Sequence, residues 1–157
     1  MLMNGKVEAR LKDLGVVLPE APRPVANYVP SLRSGDLLFI SGQISMDVDG
    51  KIISGQVGAD VSVDQGHAAA KRCAILILAQ TKAALGNLDQ VAQVVKLTGF
   101  VNATADFANH PKVINGASDF MVEVFGDKGR HTRAAVGVSS LPMNCAVEID
   151  AILRIER

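Results

Sequence analysis

The sequence carries no excess of charge of either sign: 16 lysines and arginines balance 16 aspartates and glutamates over 157 residues. Such a balance sets up no field to draw in a polyanion, and with aromatics at 4% there is little to stack on bases, so composition argues against a nucleic-acid partner. Cysteine is scarce. Cys73 and Cys145 fall in helix-like and strand-like stretches, without metal-ligand spacing or a disulfide framework, and read as buried thiols of a reducing compartment. The three histidines, His67, His110 and His131, are scattered, and with no His-x-x-x-His or Cys-x-x-Cys pair neither a metal nor another cofactor is expected. There is no phosphate-binding glycine loop, since the glycines from Gly50 to Gly58 have turn spacing, and Ser41-Gly42 lacks the second glycine and following helix of a nucleophile elbow. The opening Met1-Leu2-Met3-Asn4-Gly5-Lys6 has no sustained apolar run, and no stretch is long enough to span a bilayer. A cytoplasmic protein without a membrane partner is expected.

What is present is a core. A hydrophobic fraction of 48% against 20% charged excludes disorder, and the length fits one domain spanning 1–157. Within it, residues 1–24 form a helical extension and a proline-rich link. Val7, Leu11 and Leu14 mark one face of a short helix over Lys6–Leu14 closed by Gly15, and Leu18-Pro19-Glu20-Ala21-Pro22-Arg23-Pro24 is a stiff connection. Tyr28–Leu32 and Leu37–Ile44 read as strands of a hairpin around Arg33-Ser34-Gly35-Asp36, with Gly42 marking either a bulge or a simple irregularity in the second. Ser62-Val63-Asp64-Gln65 has capping-box spacing and opens a long helix ending at Gly86. Val91–Ala103 alternates as a strand, Val95, Leu97, Gly99 and Val101 against Lys96, Thr98, Phe100 and Asn102. Asn109-His110-Pro111 then offers an N-cap and a first-turn proline to a second helix ending at Gly126. The order hairpin, helix, strand, helix, two strands predicts an α+β two-layer sandwich, a mixed sheet with both main helices on one face.

The last quarter organises the rest. His131 to Ser139 and Val147 to Glu156 read as strands joined by a turn at Leu141-Pro142-Met143-Asn144. In the final strand Val147, Ile149, Ala151, Leu153 and Ile155 point to the core, and Glu148, Asp150, Arg154 and Glu156 away from it. In its predecessor, parity groups Arg133 with His131, Ala135, Gly137 and Ser139. A cation followed by very small residues leaves open space, so a pocket is expected on that face. The sheet face away from the helices is expected to carry Ala135, Gly137 and Phe100 and to be covered by self-association.

Asn27-Tyr28-Val29, Ile40-Ser41-Gly42-Gln43-Ile44, Ile114-Asn115-Gly116 ahead of Phe120, and Thr132-Arg133-Ala134-Ala135-Val136 leading to Leu141-Pro142 and Val147-Glu148-Ile149 occur in this order. From Tyr28 to the C-terminus the chain thereby resembles the RidA/YjgF family of imine deaminases. The resemblance implies a chorismate-mutase-like fold, a homotrimer with ligand clefts between subunits, and no cofactor. It implies hydrolysis of 2-iminobutanoate- or 2-iminopropanoate-type intermediates to 2-keto acids and ammonia. By the same resemblance Arg133 grips the substrate carboxylate, Glu148 orients water, Tyr28 and Asn115 line the cleft, and the backbone around Ser41, Gly42 and Ala135 borders the substrate. Two departures stand out: the position two after the arginine, often cysteine in close RidA relatives, is Ala135, and the extension through Pro24 is longer than in compact members.

Each residue also has an ordinary reading. A strand arginine is usually solvated or ion-paired, Glu148 would suit a salt bridge with Arg133 or Arg154, Tyr28 an interface or core, and Asn115 a backbone contact. His131 shares a face with Arg133, where the family pattern usually has an apolar residue. The same arginine would equally serve a trimeric, non-catalytic protein that binds a small carboxylate metabolite or regulates a partner. An endoribonuclease, a label often attached to relatives, fits the neutral charge and missing histidine pair poorly.

Overall fold

A computed structural model describes residues 5–157, so the Met1–Asn4 stretch read above for the absence of a leader lies outside the described residues. The elements in chain order are α1 (Lys6–Asp13), β1 (Ser31–Ser34), β2 (Leu37–Ile44), α2 (Val63–Leu85), β3 (Val91–Asn102), α3 (His110–Phe125), β4 (Thr132–Val138) and β5 (Val147–Ile155). The five strands form one mixed sheet in the order β1-β2-β5-β3-β4, with β3 and β4 parallel and every other neighbouring pair antiparallel. This is the expected α+β sandwich. Helix α2 packs on β2 and β5, α3 on β3 and β4, and the two helices on each other.

The alternation of β5 appears as expected: Val147, Ile149, Ala151, Leu153 and Ile155 are all buried. Helix α2 opens with the capping box, Gln65 N–H donating to Ser62 Oγ at 3.1 Å and Ser62 N–H to Gln65 Oε1 at 2.8 Å. It closes at Gly86 in the left-handed region at φ 77°. From Cys73 to Thr81 it is buried on every side, because sheet and neighbouring helices enclose it. Helix α1 docks through its Leu11 side and its N-terminus, where the Asp89 carboxylate accepts from Lys6 N–H and Val7 N–H at 2.9 Å each. Both cysteines are buried, and burial pushes the Cys73 thiol well up and the Cys145 thiol to about 11.

Several local expectations are corrected. Strand β1 starts at Ser31, not Tyr28, because Pro30 has no N–H for a ladder, and the hairpin turn shrinks to Gly35-Asp36, with Gly35 at φ 63°. Asn109 makes no side-chain cap on α3. In β3 a register shift between Val94 and Lys96 turns Val94, rather than Val95, into the core. The turn after β4 does not make a hairpin: β3 lies between β4 and β5. Pro142–Asn144 carries the chain past the end of β3, where the buried Asn102 amide donates to Asn144 Oδ1 at 3.1 Å and Cys145 O at 3.2 Å.

The two main helices cross at glycines. A methyl group on Gly116 would overlap the carbonyl of His67, and one on Gly66 would stand 3.2 Å from Val113 Cγ1. Backbone cannot swing aside as a side chain can. Gly116→Ala is therefore expected to cost about 3 kcal/mol, the upper end of ordinary overpacking, and to lower Tm by about 10 °C in a thermal melt. An unchanged Tm would contradict this helix crossing.

Candidate functional site

The bulge of β2 builds the first part of the site. Ile40 pairs with Ala151 but Gln43 with Ile149, so one extra residue is looped out at Ser41-Gly42. Both Ile40 and Gln43 consequently face inward. Ser41 Oγ donates to Val29 O at 2.7 Å and Ser41 N–H to Pro30 O at 3.0 Å, tying the Tyr28–Pro30 segment to the strand. Beneath it lies a buried amide chain in which Gln80 Nε2 donates to Pro22 O at 2.7 Å and to Gln43 Oε1 at 3.4 Å, while Gln43 Nε2 donates to Ser41 O at 2.9 Å. Sequence reasoning quoted Gln43 within a motif without giving it a role, and missed Gln80, whose signal was a glutamine inside the apolar run of α2, which burial permits only with a partner.

Around this anchor opens a cleft of about 320 Å³, whose walls include Tyr28, Ser41, Gly42 and Glu148, with Arg23 at its rim. Glycine at position 42 lets the carboxyl in, since a methyl group there would stand 3.1 Å from Glu148 Cδ and Oε2. The ion pairs considered for Glu148 do not form: no ion pair among the described residues includes it. Burial raises its carboxyl above the ordinary 4.5, and the Asp150 charge adds to the shift. An unpaired acid of this kind can take and return a proton nearer neutrality than a free one.

Arg133, Asn115 and Ala135 are elsewhere. Directly paired residues on neighbouring strands share a sheet face, so one row runs Ile44, Glu148, Phe100, Val136 and another Ile40, Ala151, Leu97, Arg133. The second row is the helix-covered one. Arg133 and Glu148 thus sit on opposite faces, with β3 between their strands, about 10 Å apart laterally from strand spacing alone. At the edge strand β4, Arg133 Nη1 donates to Ser118 Oγ of α3 at 3.0 Å. Asn115 is half-buried one turn earlier on that helix.

The face expected to be open is filled beside Arg133 and open only at its far end. A methyl group on Gly99 would stand 2.5 Å from Ile114 Cδ1, and one on Gly137 would overlap the His110 ring, so these small residues seat α3 rather than a ligand. A cavity of about 620 Å³ does border the far end of β4, at Gly137 and Ser139, but Arg133 does not line it. Ala135 and Gly137 therefore do not share the outer sheet face with Phe100. That face carries Phe100 with Val136, Phe39 and Leu32 instead.

Because the fold favours the neutral form of Glu148, that contribution is full below the ordinary carboxyl range and is lost as pH rises through the raised value. Glu148→Gln is expected to raise Tm at neutral pH and to leave it unchanged below about pH 4, where both side chains are neutral. A lower Tm at neutral pH in pH-resolved melts would mean that the carboxylate has a stabilising partner.

Comparison with known proteins agrees with this architecture. Residues 8–153 match the family model described as "YjgF/chorismate mutase-like, putative endoribonuclease". The chain is 46% identical over 156 residues to Protein TCP17 of Trypanosoma cruzi, covering 99% of this chain and 98% of that one. It is 27% identical to the 2-iminobutanoate/2-iminopropanoate deaminase of Dermatophagoides farinae, over 88% of this chain and 93% of the relative. The crystal structure of Atu1372 from Agrobacterium tumefaciens, of unknown function, superposes with a TM-score of 0.90 at 50% identity, covering 96% and 93% of the two chains. Fold, motif order and relatives converge, and the chain belongs to the RidA/YjgF family.

Proposed function

We propose that this protein hydrolyses small 2-imino acids of the 2-iminobutanoate and 2-iminopropanoate kind to 2-keto acids and ammonia, at clefts between the subunits of a homotrimer. The observation that carries the reading is the division of the motif residues over two surfaces of one chain. Tyr28, Ser41, Gly42 and Glu148 form a walled cleft that holds no cation from β4. Arg133, with Asn115 nearby on α3, stands at the opposite edge of the sheet with no acidic partner among the described residues. A second copy laid edge to cleft would supply each half with what it lacks. The outer sheet face favours such assembly, with Leu32 60%, Val136 42% and Phe39 39% exposed.

In the completed cleft the Arg133 guanidinium grips the substrate carboxylate through its planar fork. Water attacks the imine carbon, forming the C–O bond of a carbinolamine as the C=N electron pair moves to nitrogen. Glu148 takes a proton from that water and delivers one to the nitrogen. A second transfer through the same carboxylate carries the carbinolamine hydroxyl proton to the amino nitrogen, and the C–N bond breaks as the C=O bond forms, releasing ammonia and the keto acid. Asn115 and Tyr28 border the ligand, as does the backbone at Ser41, Gly42 and Ala135. No cofactor takes part. Because the imine is reactive already, positioning of water and carboxylate supplies most of the acceleration. The two buried thiols suit a reducing compartment, which supports reading the protein as a cytoplasmic one acting on a small metabolite, without nucleic acid or membrane as a partner.

With imine generated freshly in a coupled assay, Arg133→Ala is expected to lower kcat/KM at least about 10-fold, the equivalent of one charge-assisted hydrogen bond. Co-assembling Arg133→Ala with Glu148→Gln subunits is expected to restore part of the activity that neither variant has alone, since mixed oligomers contain some intact clefts. Hydrolysis unchanged by Arg133→Ala removes the carboxylate clamp, and absence of rescue removes the shared cleft. Tight keto-acid binding by a wild-type protein that turns over no imine would make it a metabolite-binding protein instead.

A further inference from the structure

Ser118 and His131 lie outside the family motif, yet they form the immediate surroundings of Arg133. Nδ1 of His131 is 2.6 Å from Gly129 O, its Nε2 is 2.8 Å from Ser118 Oγ, and Ser118 Oγ is 3.0 Å from Arg133 Nη1. With the His131 ring neutral, elementary proton bookkeeping fixes every direction in this chain. A carbonyl only accepts, so Nδ1 carries the hydrogen, and in the neutral ring Nε2 is then a lone pair. Ser118 must donate its single proton to Nε2, which leaves its oxygen lone pairs for Arg133. The far end is equally determined, because Gly129 packs so tightly on the Met121 carbonyl of α3 that a methyl group there would overlap it.

From this chain we infer that Ser118 and His131 are positioning residues that aim the Arg133 guanidinium while leaving its charge unspent. The distinction lies in the kind of partner. A carboxylate at position 118 would hold the guanidinium as well, but it would neutralise the cation before a substrate arrived. A hydroxyl whose proton is committed to an imidazole presents only lone pairs, so it orients the cation and leaves the rest of the fork for an anion. Ser118 also makes this cross-element bond instead of bonding back to its own helix, the common fate of a serine within a helix. The inference rests on Arg133 being the carboxylate clamp proposed above.

The test is calorimetric binding of 2-ketobutyrate, the stable keto-acid product, to the assembled protein, together with kcat/KM for the imine. Ser118→Ala and His131→Leu are each expected to weaken 2-ketobutyrate about tenfold through loss of aim, while Ser118→Thr, which keeps the hydroxyl, stays near wild type. Ser118→Asp is expected to abolish binding although it preserves a partner for the guanidinium. In an Arg133→Ala background, Ser118→Ala should leave the residual kcat/KM unchanged. Wild-type affinity in Ser118→Ala, or an equal loss in both backgrounds, overturns the relay and leaves the clamp standing. A wild-type protein that binds no 2-ketobutyrate overturns the clamp and the relay with it. Should Ser118→Ala fail to fold, nitrogen-15 spectra of the wild-type histidines decide: the Nδ1–H tautomer at His131 is expected, and the Nε2–H tautomer or a doubly protonated ring overturns the chain of donors.

Discussion

The constraint on which the site depends is the threading of β3 between the two strands that follow it in sequence. Had β4 and β5 been neighbours, Arg133 and Glu148 would have stood on adjacent strands. With β3 inserted, pairing register places one on the helix face at the sheet edge and the other on the outer face above the β2 bulge. The chain can follow this route because it passes the end of β3 along a short turn whose backbone is held by the buried Asn102 amide. Met143 and Asn144 adopt the left-handed region there, both at φ 55°, a conformation that such an anchored turn can stabilise.

From that constraint follows the division of labour between two polar systems, one around the buried Gln43 and Gln80 and one around the partly buried Ser118 and His131. On the cleft side, Gln80 donates to Gln43, and Gln43, Gln80 and Ser41 each donate to backbone, fixing the Pro22 and Tyr28 segments as walls. At the β4 edge, His131 bridges Gly129 O and Ser118 Oγ, and Ser118 in turn accepts from Arg133. Neither system contains a charged partner. Among the described residues the charges are left without ion pairs, a cation at one edge and a half-buried acid at the other, and unpaired partly buried charge is what a binding site retains and a structural core avoids.

The elements most legible in the sequence were those set by local chemistry. The Ser62–Gln65 capping box, the Gly86 stop and the strict alternation of Val147–Ile155 each determine their structure within a few residues. The glycine in Ser41-Gly42-Gln43 left a bulge and a simple irregularity both open, and pairing with β5 decides for the bulge. What could not be read there came from tertiary contacts. The small residues of β4 suggested empty space beside Arg133, yet the cavity lies only at the far end of the strand, where His110 of α3 also meets Gly137, and nothing in β4 itself distinguishes room for a helix from room for a ligand. The shift in β3 that exchanges Val94 for Val95 depends on pairing with β5. Ser118 was invisible because a serine in a helix carries no mark of the strand side chain it will meet.

The most direct measurement is a crystal structure of the assembled protein soaked with 2-ketobutyrate. The account predicts a ligand carboxylate within hydrogen-bonding distance of Arg133 from one subunit, in a cleft whose Glu148 comes from the adjoining subunit. A monomer in the crystal and in solution, or an assembly in which the Arg133 guanidinium faces bulk water and the keto acid binds elsewhere, would contradict it.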